Sequence, residues 1–306
     1  MIEVFLGSVL PIFAVAGVGY FYGRVGILGS DMAMQLNRFV FYFALPVLLF
    51  KLLASVSLAQ FEWGMVVGYF LAELALYVGG YFIARYGFKR DALESLLIGM
   101  TGGFVNHVMF VLPIAQQLFG DAASVPIVAI ITLDAVVMFG GTIIILEMAT
   151  NRKDGFSFWS TTKLLATNPQ LIAMGFGVLA MIFGVKLSGG FAVFAQFVGD
   201  AAAPASLFAL GIVLAGQKFS NIGIAATFSG VKLIIMPLIT WAIVVVLFQI
   251  TPSWANPALL VAAGPTGAMA FVLALQYGVR VSTIAQIILF TTVGSVVSVS
   301  LMSQLF

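Results

Sequence analysis

Met100-Thr101-Gly102-Gly103-Phe104-Val105-Asn106-His107 and Gly264-Pro265-Thr266-Gly267 each interrupt a long apolar run, and each is followed by the same tripeptide, Phe110-Val111-Leu112 and Phe271-Val272-Leu273. A glycine costs about 1 kcal/mol in a helix interior and a proline about 3 kcal/mol, so the backbone is expected to unwind at both points. In hydrocarbon an unwound stretch survives only where protein or a wet cavity covers it.

The two tripeptides stand 161 positions apart, and a related register of 158 runs through other parts of the chain. Pro11, Gly17, Gly19 and Gly26 fall on Pro169, Gly175, Gly177 and Gly184, and Phe39, Val40, Pro46, Leu49 and Phe50 fall on Phe197, Val198, Pro204, Leu207 and Phe208. The Pro and Gly matches carry the weight, because each marks a backbone position with a steric reason. A short insertion accounts for the step from 158 to 161.

Hydrophobic residues make up 62% of the 306 and charged ones 8%, with a mean hydropathy of +1.16. A soluble domain has about 25% charged residues, so the chain reads as an integral membrane protein. Helices fit and a barrel does not, since the apolar runs are roughly 20 residues long and do not alternate with polar ones. Zero cysteines and a single histidine exclude disulfides, thiolate metal sites and a multi-His metal site. No cofactor and no nucleic-acid partner are expected, and the net charge of +2 says little about partners. The first apolar stretch lacks a basic leader and a small-residue cleavage site, so it reads as a retained span.

Ten transmembrane helices are expected, at about 2–23, 31–54, 61–85, 91–119, 122–149, 164–184, 190–216, 221–249, 253–278 and 281–304. The polar connection Thr150 to Lys163, with Asn151, Arg152, Lys153 and Asp154, separates a first five-helix repeat, 1–149, from a second, 164–306. Five is odd, so the second half enters the membrane from the opposite side and the repeat is inverted. Arg24, Arg85, Lys89, Arg90, Arg152, Lys153, Lys163, Lys218 and Arg280 fall at loops of one side, and Lys51 and Lys186 near the other. That bias makes 150–163 a cytoplasmic linker and puts both termini on the non-cytoplasmic side.

Paired interruptions at corresponding positions of two inverted halves point to a transporter's binding site. Two half-helix N-termini then face each other near the midplane with unpaired N–H groups and about half a positive charge each, which favours a carboxylate. The packing alternative is that Gly102, Gly103, Gly264 and Gly267 only let helices approach. Pro265 and Asn106 add a missing donor and a polarity that packing does not need.

At these residues the sequence resembles the auxin efflux carrier family, which includes plant auxin carriers and bacterial malonate and malate permeases. Leu36-Asn-Arg-Phe-Val-Phe-Tyr-Phe-Ala-Leu-Pro-Val-Leu-Leu-Phe50 resembles the family's second helix, Asn106 with Val108-Met109 and Pro113 its fourth, and Pro265-x-Gly267 with Phe271-Val272-x-Ala274-x-x-Tyr277 its ninth. The resemblance implies an all-α membrane protein of ten helices with broken, crossing helices four and nine, as in NhaA-type antiporters and bile-acid transporters. It implies a scaffold of helices one, two, six and seven, a transport domain of helices three to five and eight to ten, elevator-type alternating access, and a homodimer through the scaffold. Val105 stands where the plant carriers have proline, and the connection between the halves is short, about 14 residues. With His107 beside the asparagine, these features look more like bacterial dicarboxylate permeases of the cytoplasmic membrane. Malonate is therefore the first expected substrate, ahead of malate or an auxin-like monocarboxylate.

The candidate substrate-binding residues are Gly103, Asn106, His107, Pro265, Thr266 and Gly267. Asn106 can donate to a carboxylate and still accept from backbone, or cap the second half-helix. His107 can sense pH or meet a second carboxylate, or simply pack. Gln116 and Gln117 are candidates for the exit. Glu73, Asp134, Asp200 and Lys232 are intramembrane charges costing roughly 2.5–3.5 kcal/mol each. Glu73 and Lys232 lie near equivalent positions, so they are candidates for an ion pair or for proton coupling, and Asp134 for a cation ligand. H⁺ and Na⁺ both stand as coupling ions. An intramembrane metalloprotease would need two histidines, and Phe197 occupies the place where an aspartyl protease needs glycine before Gly199-Asp200. The chain is expected not to be an enzyme, and a passive anion channel is the remaining rival.

Overall fold

The computed structural model describes residues 10–55, 59, 61–150, 166–185, 187–216 and 222–305. Residues 151–163 of the expected linker, with Arg152, Lys153 and Lys163, lie outside the described residues, as do Lys186 and Lys218. Among the described residues the chain is all helical apart from one isolated antiparallel bridge, Val105 to Thr266.

The helices are α1 (Leu10–Arg24), α2 (Ser30–Ala54), α3 (Trp63–Gly87), α4 (Ala92–Gly103), α5 (His107–Val111 running into Leu112–Phe119), α6 (Val125–Thr150) and α7 (Pro169–Ile182). They continue with α8 (Gly189–Gly216), α9 (Ile222–Leu247), α10 (Pro252–Ala263), α11 (Met269–Gln276) and α12 (Ser282–Met302). Among the described residues six, α2, α3, α6, α8, α9 and α12, are long and apolar enough to cross a membrane. The shortest of these, α12, has 21 residues, about 31 Å of rise against a hydrocarbon core of about 30 Å. The apolar runs 91–119 and 253–278 each fold as two helices, α4 with α5 and α10 with α11, with non-helical backbone between.

Side chains set the helix starts. Asp91 caps α4 by accepting from Glu94 N at 2.9 Å, and Asn168 caps α7 by accepting from Gln170 N at 3.0 Å and Leu171 N at 3.3 Å. The ends of α1 and α7 are built alike. Gly26 and Gly184 turn left-handed, φ +76° and +64°, while Ile27 N donates to Tyr22 O at 3.1 Å and Val185 N to Ala180 O at 2.8 Å. These are Schellman turns, and their residues are 158 apart.

Helices α1 and α8 pack along each other, and so do α7 and the second half of α2. A Cβ on Gly19 would strike the carbonyl of Phe208, and one on Gly177 would lie 2.8 Å from Leu53 Cβ and 3.3 Å from the carbonyl of Phe50. Phe50 and Phe208 are themselves a 158 pair, so the same close contact is made twice with the halves exchanged. A second group packs α3 against α4, α9 against α12, and α10 against α6 and α12. Polar links join the two groups: Asn37 Nδ2 to Val272 O at 3.2 Å, Gln276 Nε2 to Tyr42 Oη at 2.8 Å, and Glu147 Oε1 accepting from Tyr277 Oη at 2.7 Å and Asn168 Nδ2 at 3.1 Å.

Prolines re-shape three helices at the residue four positions earlier, whose carbonyl loses its N–H partner and meets the ring. Pro46 follows the wide π turn Val40–Ala44 of α2, and Pro237 follows Val231–Ile235 of α9. In α8, Pro204 stands four residues after Asp200, where Gly189–Gly199 and Ala202–Gly216 are separated by the turn Asp200–Ala201.

Candidate functional site

The two interruptions meet and hydrogen-bond to each other. Asn106 N donates to Pro265 O at 2.9 Å and Gly267 N to Phe104 O at 3.0 Å, the pattern of a one-rung antiparallel ladder. Thr266 adds two bonds: its Oγ1 donates to Thr101 O at 2.7 Å, and its N–H goes to Thr291 Oγ1 at 3.2 Å. The carbonyls at the end of α10 are also met, Ala262 O by Lys232 Nζ at 2.8 Å and Ala263 O by Ser298 Oγ at 2.7 Å. Buried backbone groups freed by a helix break need such partners. Glycine is required for the approach, since a Cβ on Gly267 would lie 2.8 Å from Val105 O and one on Gly103 would lie 2.6 Å from Glu73 Cγ.

This qualifies the expectation of bare amides at the crossing. The amides of Asn106, Thr266 and Gly267 are spent on the bridge and on Thr291. Those of the next turn are ahead of the first intrahelical bond. Phe271 N and Val272 N both return to Ala268 O, which leaves Ala268, Met269 and Ala270 at the open N-terminal end of α11.

A cavity of about 430 Å³ lies beside the crossing, within the 300–1,000 Å³ usual for small-molecule sites. One wall carries Asn106, His107, Gly267, Ala268, Met269 and, from α6, Asp134; the other carries Leu45, Leu48, Leu49 and Leu52 of α2 and Gly199, Asp200, Ala203, Ser206 and Leu207 of α8. Asn106 is half-buried, and among the described residues its hydrogen bonds are made by its backbone, not by its side-chain amide. Of the expected site residues, Asn106, His107 and Gly267 line the cavity, whereas Gly103, Pro265 and Thr266 do not. Gln116 and Gln117 are exposed and away from it.

At the cavity wall and behind it four ionisable side chains from four helices converge. His107 Nε2 lies 2.8 Å from Asp134 Oδ2, with the residues 5% and 1% exposed. The Glu73 carboxyl neighbours Asp134, and Lys232 neighbours both acids; Glu73 and Lys232 are fully buried. The Lys232 Nζ nonetheless donates to the carbonyl of Ala262, and among the described residues no Glu73–Lys232 ion pair is formed. Asp134 opens the π turn Asp134–Phe139, His107 opens His107–Val111, and Lys232 sits in Val231–Ile235. Such widened turns recur at functional sites.

Sequence reasoning missed the second wall. Asp200 was noted only as an intramembrane charge, yet it lines the cavity and pairs with Lys51, Nζ to Oδ1 at 3.3 Å. Pro204, four residues on, was the available signal for the turn that presents it.

A helical membrane protein with two interrupted segments crossing beside a small cavity is built like a carrier of small solutes. Residues 4–303 match the model of the family described as membrane transport protein, and the chain belongs to that family, the auxin efflux carriers. It is 26% identical over 302 residues to a protein of Rhizobium meliloti (strain 1021) named "Putative malonate transporter", covering 96% of this chain and 93% of that one. It is 27% identical over 251 residues to "Uncharacterized transporter YfdV" of Escherichia coli (strain K12), covering 78% and 77%. An "Uncharacterized transporter" of Methanothermobacter thermautotrophicus is 25% identical over 316 residues, covering 98% and 99%.

Proposed function

We propose that this membrane transporter moves a small organic anion, first of all a dicarboxylate such as malonate, by elevator-type alternating access. The observation that carries the reading is the cavity at the crossing, where the unpartnered Asn106 amide and the open N-terminal turn of α11 face the same space. Two sets of donors aimed at one point suit a carboxylate. The R. meliloti relative's name adds malonate as the first candidate.

In this reading the chain is an inverted repeat of ten spans. The exchanged contacts Gly19 to Phe208 and Gly177 to Phe50, and the matched turns at Gly26 and Gly184, support it. Helices α1, α2, α7 and α8 form the fixed scaffold and the site of homodimer contact, and the rest move with the crossing. The excess of basic loops orients both termini away from the cytoplasm of a bacterial inner membrane. Coupling, by H⁺ in preference to Na⁺, is assigned to His107, Asp134, Glu73 and Lys232. Support for the proton comes from the four buried side chains themselves, each able to gain or lose one, with the Lys232 amine beside the two acids.

The test is uptake of labelled malonate into proteoliposomes. Saturation and counterflow are expected, and linear uptake without counterflow would identify a channel. Asn106→Ala is expected to lower uptake at least tenfold while the protein keeps its thermal stability; undiminished uptake removes Asn106 from the site.

A further inference from the structure

The polar side chains of the cavity wall include two acids, Asp134 and Asp200, which is a poor lining for an anion unless each acid has a partner of its own. Asp134 lies against His107 on the crossing side, Nε2 to Oδ2 2.8 Å. Asp200 stands across the cavity on α8 and is held by Lys51 of α2. Lys51 sits between Leu48 and Leu52, both of which line the cavity. The two helices are drawn together at this height, since a Cβ on Gly199 would lie 3.2 Å from Leu48 Cα. The carboxylate projects from the turn that interrupts α8, and Gln196 Nε2, one turn earlier on the same helix, also donates to it.

We propose that Lys51 and Asp200 are a charge-exchange pair that selects dicarboxylates: the second carboxylate of the substrate takes the Lys51 ammonium while Asp200 stays with Gln196. This rests on the reading of the cavity as a carboxylate site. Three features favour the exchange. The pair is partly solvated, with side chains 22% and 54% exposed for Lys51 and Asp200, so it parts at smaller cost than a buried pair. Asp200 is partly solvated and keeps the Gln196 amide as a donor when Lys51 leaves, so its carboxylate is not left bare. Asp200 faces the crossing from the opposite wall and the Lys51 ammonium lies 3.3 Å from its carboxylate, so a ligand held by one carboxylate at Asn106 and α11 turns its other end toward the pair. A monocarboxylate brings nothing to compete with Asp200. An acid inside the apolar span of α8, otherwise costly, and a base near the end of α2 thereby acquire a role.

Full-length protein in proteoliposomes tests this with labelled malonate and acetate. Lys51→Gln is expected to raise the KM for malonate at least tenfold and to leave acetate uptake unchanged, and Lys51→Arg to restore malonate. Asp200→Asn is expected to lower the KM for malonate severalfold, because the competing carboxylate is gone. The opposite signs are the signature. Changes of the same sign in both variants mean that the pair only fastens α2 to α8, and unchanged KM values mean that Lys51 does not meet the substrate; either result overturns the proposal. Failure of the unaltered protein to move any carboxylate removes the carboxylate reading and this selection together, whereas normal malonate uptake with an indifferent Lys51→Gln removes the selection alone.

Discussion

His107, Asp134, Glu73 and Lys232 occupy one buried neighbourhood and belong to α5, α6, α3 and α9. Removing one member of such a cluster leaves a partner charge without compensation, at a cost of about 3–5 kcal/mol. Glu73→Gln and Lys232→Met are each expected to lower the thermal stability of the purified protein. The double variant is expected to be more stable than the sum of the two losses, because its members are coupled. Strict additivity in a melting series would show that the two do not sense each other. Each of these residues was visible in the sequence as a charge inside an apolar run. Their convergence was not, because no local pattern tells which faces of four separate helices are turned toward one another. Asn106 was legible for a different reason, since a lone amide at an interrupted helix has a chemical meaning wherever the chain goes.

Breaks in α4/α5 and α10/α11 follow from Gly and Pro chemistry and could be read from the residues alone. The bridge between them could not, because one rung of antiparallel pairing leaves no periodic signal. It depends heavily on Thr266. Thr266→Val removes the bond to Thr101 O and leaves a buried carbonyl bare, an expected loss of about 1–3 kcal/mol, to be measured by unfolding in detergent. Gly103→Ala is expected to destabilise by a similar amount, because the new methyl would meet Glu73 Cγ at 2.6 Å and its carbonyl at 3.2 Å; the substitution leaving stability intact would show that α3 and α4 can slide apart. The turn at Asp200–Ala201 and the π turns at Val40–Ala44 and Val231–Ile235 were encoded in Pro204, Pro46 and Pro237 four to six residues downstream of where each begins. The π turns at Asp134–Phe139 and Trp241–Leu247 have no proline to explain them.

Among the described residues α1, α2, α7 and α8 pack with one another and are joined to the helices around the crossing by polar links such as Asn37 to Val272. The proposed elevator requires these to move past each other. The chain has no cysteine, so a pair placed at the exposed link Tyr42 and Gln276 can be tied with a short thiol crosslinker. Uptake is expected to stop when the tie is made and to return when a cleavable linker is cut; transport through the tied protein would mean that α2 and α11 keep their places throughout the cycle. Because the two interrupted segments are stitched to each other through Asn106, Thr266 and Gly267, neither can swing alone without tearing several buried bonds in a medium that offers no replacements. The knot must travel whole, like a clasp that stays fastened while the garment turns, and a solute gripped beside it would be carried through the bilayer instead of being handed from one half of the protein to the other.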